Sequence, residues 1–383
     1  MRDLAGGFIK RHKTASVAVL GGVLCYKLLG EVVIKIVGGK GGCYPFVYYF
    51  KLFVFHIVLS VAAYAPAHKI LACIYLLYTK GASFARGMRK ERIFKGAATA
   101  LITPFKDGRI DYRALGDIIE EQIKGGISAL VIGGTTGEAA TLTDEERYAL
   151  FAFTRERVAG RVKLIFGTGT NDTRVALAHT RVACKIGCDG TLVVTPYYNK
   201  GTDSGIVKHY LQIAEASTVP VLLYNVPGRT GVNLPFSVLD KLAEHPNIVG
   251  IKEASDSQDR LISLRTYGEN LDLYAGNDSA IYTTLALGGM GVISVMSNAF
   301  PSVVSRICEL YFSGLHEESL ALQVCSLDLI RALFCETNPS PIKHVMASLG
   351  YCSDEVRLPL DKVSAASAEI IDRTMQKFTE KEK

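Results

Sequence analysis

No pair of CxxC motifs and no Cys/His set at zinc spacing occurs in this chain, although it carries nine cysteines, so a structural zinc site is not expected. Nor is there an apolar run of the ~18 to 20 uninterrupted residues that a membrane-spanning helix needs. Lys27, Glu31, Lys35, Lys51 and His56 interrupt every longer window. A GxGxxG turn is missing as well: after the first expected strand the chain reads Thr103-Pro104-Phe105, which argues against a doubly wound dinucleotide fold. An excess of positive charge is missing from the main body. The net charge is +6, but residues 1–87 hold 11 Lys/Arg against 2 Asp/Glu, leaving 32 against 35 for residues 88–383. Without a basic stripe in that body, no nucleic-acid partner is expected. Tryptophan is absent, yet 49% hydrophobic and 21% charged residues describe a globular chain and rule out disorder as a whole-chain state.

Residues 1–87 form a basic, Gly-rich extension with apolar stretches at 15–26, 52–67 and 70–78. Two readings stay open. One is a hydrophobic, membrane-associated tail; the other takes Met88 as the true start. A signal peptide fits neither, because no small-x-small site follows a single short apolar core. Cys184 and Cys188, four apart on an expected helix, could supply two metal ligands but read as small buried hydrophobes, and the thiols are expected to be reduced in a cytosolic compartment.

From Ala97 onward, short β-branched runs alternate with stretches of helical period. Strands are expected at 97–103, 129–132, 162–167, 190–195, 221–225, 248–252, 272–275 and 291–295. Eight such units predict a (β/α)8 TIM barrel. The domain plan is therefore a hydrophobic N-terminal extension at 1–87, a catalytic barrel at 88–300 and a C-terminal helical bundle at 301–383.

Active sites of such barrels lie at the C-terminal ends of the strands. Those ends carry Gly134-Thr135-Thr136-Gly137-Glu138, Thr195-Pro196-Tyr197-Tyr198-Asn199, Tyr224-Asn225-Val226-Pro227-Gly228-Arg229-Thr230, Lys252-Glu253-Ala254, Gly276-Asn277-Asp278 and Gly291-Val292-Ile293-Ser294. Lys252 follows an apolar run, where burial disfavours an ammonium and frees an amine nucleophile. Pairing with Glu253 is the structural alternative. Carbon–carbon bond chemistry at a carbonyl needs an electron sink, either a metal or an iminium on lysine. Five histidines follow residue 88, none at a strand end and none spaced as a metal pair, so the sequence supports the iminium route. Tyr224 ends the strand beside Lys252, with Tyr198 and Thr135 as hydroxyls able to pass a proton onward; aromatic packing is the alternative for either tyrosine. Thr135 and Thr136 suit a carboxylate or a helix N-cap. Arg229 suits a second carboxylate or a surface salt bridge.

Taken together and in order, these strings resemble the 4-hydroxy-tetrahydrodipicolinate synthase (dihydrodipicolinate synthase) family over residues 92–380. The resemblance implies a class I aldolase-type condensation of pyruvate with L-aspartate 4-semialdehyde in lysine and diaminopimelate biosynthesis. It needs no cofactor beyond the covalent imine on Lys252. Carried over residue by residue, Lys252 matches the Schiff-base lysine, Tyr224 the proton donor and acceptor, and Thr135 and Tyr198 the rest of the relay. In the family the last of these comes from the neighbouring subunit. Thr136 and the backbone at Ile293 match pyruvate-binding positions, Arg229 the position that holds the semialdehyde carboxylate, and Gly276 a position lining the site. The resemblance also implies a homotetramer built as a dimer of dimers. N-acetylneuraminate lyase and 2-keto-3-deoxy sugar-acid aldolases share the lysine and tyrosine, and Arg229 is the residue that argues for the small carboxylated aldehyde. A membrane-tethered barrel without catalysis would have lost Lys252, Tyr224 or Arg229, and all three are present. In lysine-inhibited members a His and a Glu stand where this chain has Arg147 and Val175, so strong lysine feedback is not expected.

Overall fold

The structure, a computed structural model, describes residues 90–381. Both readings of residues 1–87, and the start at Met88, lie outside the described residues. Eight parallel strands close into a barrel: β1 (Gly96–Ala100), β2 (Ala129–Ile132), β3 (Lys163–Gly167), β4 (Gly190–Val194), β5 (Val221–Asn225), β6 (Ile248–Glu253), β7 (Asp272–Ala275) and β8 (Gly291–Ser294). Each pairs with its sequence neighbours, and β8 returns to β1, where Ala98 lies opposite both Ile293 and Ala129. The strands are apolar runs because a parallel barrel strand is buried on both faces. On β5, Leu222 and Tyr224 join an inner cluster with Ala98, Leu192, Tyr274 and Ile293, while Val221 and Leu223 pack outward.

The shell helices are α1 (Tyr112–Lys124), α2 (Asp144–Val158), α3 (Thr173–Ile186), α4 (Asp203–Ala216), α5 (Phe236–Ala243), α6 (Gln258–Leu264), α7 (Ile281–Ala286) and α8 (Pro301–Phe312). Five of them begin behind a side chain that accepts a first-turn N–H: Asp111, Thr143, Asp172, Thr202 and Ser257. Each such cap stabilises its helix by about 1 kcal/mol. Three further helices follow, α9 (His316–Ala332), α10 (Ser340–Ser348) and α11 (Ala365–Lys381). Ile342, Val345 and Met346 of α10 and Ile371 and Phe378 of α11 share one core with Leu101, Phe105 and Val304. Fully burying a side chain of this size is worth about 1.5–3 kcal/mol, so the C-terminal helices are firmly seated on the barrel flank. The α9–α10 loop is thereby held at the barrel mouth. Among the described residues, no helix is long and apolar enough to cross a membrane.

The first strand is shorter than expected, ending at Ala100 and not at Thr103. The Leu101 N–H still donates to the Val131 carbonyl of β2 at 3.0 Å, but beyond it the chain leaves the ladder, the Ile102 N–H donating to Asn298 Oδ1 at 3.0 Å and the Thr103 hydroxyl to the Gly137 carbonyl at 2.7 Å. Cys188 is buried as expected. Cys184 is only half-buried, and a hydrogen bond from Cys188 holds its thiol below the ordinary value.

Candidate active site

Tyr224 and Lys252 lie directly opposite one another on β5 and β6, a register that sends both side chains to the barrel interior. Lys252 Nζ stands 4.4 Å from the centroid of the Tyr224 ring, and the two residues are 5% and 7% exposed. An amine held there faces the phenol and not bulk water. Glu253, the next residue, points to the opposite face because strand side chains alternate. Its carboxylate accepts from Arg260 Nε at 2.7 Å and from Asn225 Nδ2 at 2.8 and 3.0 Å. The Lys252–Glu253 pairing left open by the sequence does not form. Behind the strand ends Asp278 is fully enclosed, its Oδ2 accepting the N–H groups of Val295 and Met296 at 3.0 Å each. Burial pushes this carboxyl up, against the pull of those hydrogen bonds, of Ser294 and of nearby Lys252.

Above the barrel centre opens a cavity of about 340 Å3, lined among others by Thr135, Tyr224, Arg229, Asn338, Arg147 and Tyr197. Thr135 and Thr136 sit in the turn after β2, which begins at Gly133 with φ +64°, a conformation that favours glycine. A Cβ at Gly133 would also lie 2.9 Å from the Phe151 ring. Neither threonine caps a helix, since the cap of α2 is Thr143. Thr136 is 3% exposed, and its hydroxyl accepts from Asn338 Nδ2 at 3.0 Å. Arg229 lies exposed on the single helical turn Pro227–Thr230 and donates through Nη2 to the Asn338 carbonyl at 3.1 Å. It makes no salt bridge with any acid among the described residues, so the surface-salt-bridge alternative fails and its remaining N–H groups are free.

The threonine turn is braced from below. Glu138, 4% exposed and at φ +54°, forms a fully buried ion pair with Lys343 of α10 and accepts the Arg357 N–H at 2.9 Å. Lys343 also donates to the Glu355 carbonyl at 2.7 Å and stands 4.2 Å over the Phe105 ring. Burial pulls the Lys343 ammonium down, opposed by the Glu138 charge. Arg147, on the first turns of α2, is 7% exposed and donates from Nη2 to the Ala139 carbonyl at 2.6 Å.

The remaining expected residues are placed as follows. Ile293 is fully buried on β8 with its backbone paired to Ala98. Gly276 follows β7; a Cβ there would meet Ala254 Cβ at 2.6 Å and the Glu253 carbonyl at 2.8 Å, so only glycine permits this close approach. Tyr198 is not brought to the cavity: it stands 88% exposed at φ +68°, turned out from the rim. Val175 is 39% exposed. Two residues at the site escape a reading restricted to strand-end motifs, Asn338, which joins Thr136 to Arg229, and the enclosed Lys343, while Asp278 stood in the quoted motif after the seventh strand without being singled out. Asn338 and Pro339 stand just before the first turn of α10, and nothing in that stretch of sequence points to a barrel mouth. Among the described residues there is no group of three or more His, Cys, Asp or Glu placed to hold a metal ion.

With this geometry in hand, comparison with known proteins is specific. Residues 93–378 match the model of the dihydrodipicolinate synthetase family. The 4-hydroxy-tetrahydrodipicolinate synthase of Acetivibrio thermocellus is 44% identical over 292 residues, 76% of this chain and 99% of that protein. Among solved structures, the 4-hydroxy-tetrahydrodipicolinate synthase of Methylacidiphilum fumariolicum is 40% identical with a TM-score of 0.74, covering 75% of this chain and 97% of its own. A dihydrodipicolinate synthase of Acinetobacter baumannii complexed with pyruvate is 37% identical with a TM-score of 0.73, over 75% of this chain and 99% of its own.

Proposed function

Because this chain belongs to the dihydrodipicolinate synthetase family, we propose that it condenses pyruvate with L-aspartate 4-semialdehyde to give 4-hydroxy-tetrahydrodipicolinate. The observation that carries this reading is the Lys252–Tyr224 pair, an amine 4.4 Å from a phenol ring beneath a cavity that Arg229 enters from the rim. In the proposed course the Lys252 amine adds to the pyruvate carbonyl carbon, water leaves, and an iminium forms. Loss of a methyl proton gives the enamine, whose carbon attacks the aldehyde. The resulting alkoxide takes a proton, and the semialdehyde's own amine then displaces Lys252 from the iminium carbon, closing the ring and freeing the enzyme. No cofactor is required.

Tyr224 is assigned the proton transfers at the bound carbon, and Thr135, in the same cavity, the next step of the relay. Tyr198 completes that relay from a second copy of the chain, which its 88% exposure favours, and the assembly is proposed to be a dimer of such dimers. Pyruvate's carboxylate is assigned to Thr136 and the backbone at Ile293, with Gly276 keeping the wall open. The semialdehyde's carboxylate is assigned to Arg229, whose free N–H groups offer a charge-assisted fork. The enzyme is proposed to work in the cytoplasm, in lysine and diaminopimelate biosynthesis.

Borohydride added with pyruvate tests the covalent step. Peptide mass mapping should find the reduced adduct on Lys252 with activity abolished; an adduct elsewhere, or none, sinks the mechanism. An assay of the semialdehyde beside sialic acid and 2-keto-3-deoxygluconate fixes the substrate class.

A further inference from the structure

Lys252 faces the barrel interior because β6 contains one residue too many. Val221 of β5 lies opposite Ile248, yet the next residue, Leu222, lies opposite Gly250, so Val249 is an insertion in the ladder. Ile248 and Ile251 accordingly both pack outward, and Val249 packs inward. Regular alternation counted from Ile248 would send Ile251 inside and Lys252 outside; the insertion reverses this. Loss of that offset would turn the amine away from Tyr224, because a slip of one residue moves every side chain of a strand to the other face.

Above the insertion the register is held from outside the barrel. Asn225 and Glu253, each one residue beyond Tyr224 and Lys252, also lie opposite one another and point to the outer face. Asn225 Nδ2 donates to both carboxylate oxygens of Glu253, at 2.8 and 3.0 Å, and to Asn233 Oδ1 at 2.8 Å, while its own Oδ1 accepts the Leu234 N–H at 3.0 Å. Glu253 further accepts the Ser255 N–H at 2.9 Å and Arg260 Nε at 2.7 Å. Asn225, Glu253 and Arg260 are all buried, and Arg260 Nη2 is enclosed without a partner. A buried ion pair with an unmet donor is a poor source of stability, since apolar residues of similar volume often serve as well; fixing a register is its best-attested use. We infer that Asn225, Glu253 and Arg260 form a positioning clasp that locks β5 against β6 in the register setting Lys252 opposite Tyr224. The inference rests on the Schiff-base role proposed for Lys252 and adds to it three residues that do not line the cavity.

The test uses the full chain and measures kcat per folded chain, the KM for the semialdehyde, and the rate at which borohydride traps the pyruvate adduct on Lys252. Asn225→Asp sets two carboxylates against each other across the strands. It should lower kcat and the trapping rate by about 10²-fold, the usual cost of a displacement of roughly 1 Å at reacting groups, with the semialdehyde KM within about twofold of the wild type. Asn225→Asp/Glu253→Gln exchanges donor and acceptor over the same gap and should bring both rates back to within about tenfold of the wild type. Should either protein fail to fold, Glu253→Gln alone serves, because it keeps the shape and takes the counter-charge from Arg260; its kcat should fall by about tenfold or more. A merely structural cluster would lower the melting midpoint and leave kcat per folded chain unchanged. That result, a loss confined to KM, or a folded double variant no faster than Asn225→Asp would overturn the inference. Failure of the Schiff-base reading is seen separately, as absence of the adduct on Lys252 in the wild type.

Discussion

An ion pair between Glu138 and Lys343 ties a C-terminal helix to the turn that carries Thr135 and Thr136, and removing both partners should cost less than the two single removals added together. Both side chains are at 0% exposure. In Lys343→Met the Glu138 carboxylate keeps one hydrogen bond, from the Arg357 N–H at 2.9 Å, and loses its only direct counter-charge. Breaking a buried pair from one side costs about 3–5 kcal/mol, because the surviving charge stays enclosed. For a barrel of this size that is a fall in the unfolding midpoint on the order of 10 °C. Glu138→Gln alone leaves the Lys343 ammonium enclosed, with the Glu355 carbonyl at 2.7 Å and the Phe105 face as its company, and should cost a similar amount. The double variant Glu138→Gln/Lys343→Met removes both charges and should be more stable than the sum of the singles implies by about 2 kcal/mol or more. Thermal melts followed by circular dichroism at one protein concentration measure this. Additive single effects, or a Lys343→Met protein within about 1 kcal/mol of the wild type, would refute the reasoning.

Three further outcomes follow from the site and the helices around it. Arg229→Ala should leave the Lys252 adduct with pyruvate intact while raising the KM for aspartate semialdehyde by about 10- to 150-fold, the worth of roughly 1.5–3 kcal/mol of charge-assisted contact; an unchanged KM in steady-state assays would return Arg229 to a bystander. Tyr224→Phe should keep the fold and lose about 10²–10⁴-fold in kcat, and near-normal turnover would make the ring a packing group only. Burial draws His209 down to about 4, so the unfolded chain binds a proton that the folded chain does not between pH 6.5 and 4. Its contribution is present in full above pH 6.5 and lost as pH falls through that window, about 3 kcal/mol in all. His209→Gln should flatten the acid limb of a stability profile measured by urea melts, apart from the same-signed share of His179, and an unaltered slope would count against it.

The barrel was legible because parallel strands buried on both faces must be short apolar runs, and every expected strand was found, with shifts of a residue or so at most ends. The error at β1 has a physical cause. Ile102 and Thr103 are as enclosed as a strand, but Asn298 and Gly137 receive their polar groups, and no local pattern announces that Asn298, almost two hundred residues away, is a partner. Lys252 and Tyr224 were legible for the same reason as the strands: a polar residue at the end of an apolar run is conspicuous, and the strand register then sets the two side by side. Tyr198 was named from its strand-end motif as a relay hydroxyl, and the resemblance alone implied that it comes from a neighbouring subunit. A single chain turns it outward, so the relay proposed for it requires a second copy of the chain.

Asn338 belongs to the part that sequence conceals. It lies between α9 and α10, beyond the last strand, and reaches the mouth only because α10 and α11 bury their apolar faces in the same core as β1 and α8. Once there, its amide donates to Thr136 and its carbonyl accepts from Arg229. The residues proposed to hold the two substrates' carboxylates therefore lean on one post, and that post is set by the seating of the C-terminal helices. A helix bundle that looks like an appendage to a finished barrel is on this geometry part of the wall of the proposed substrate site, and Lys343 is the bolt that joins it to the turn carrying Thr135.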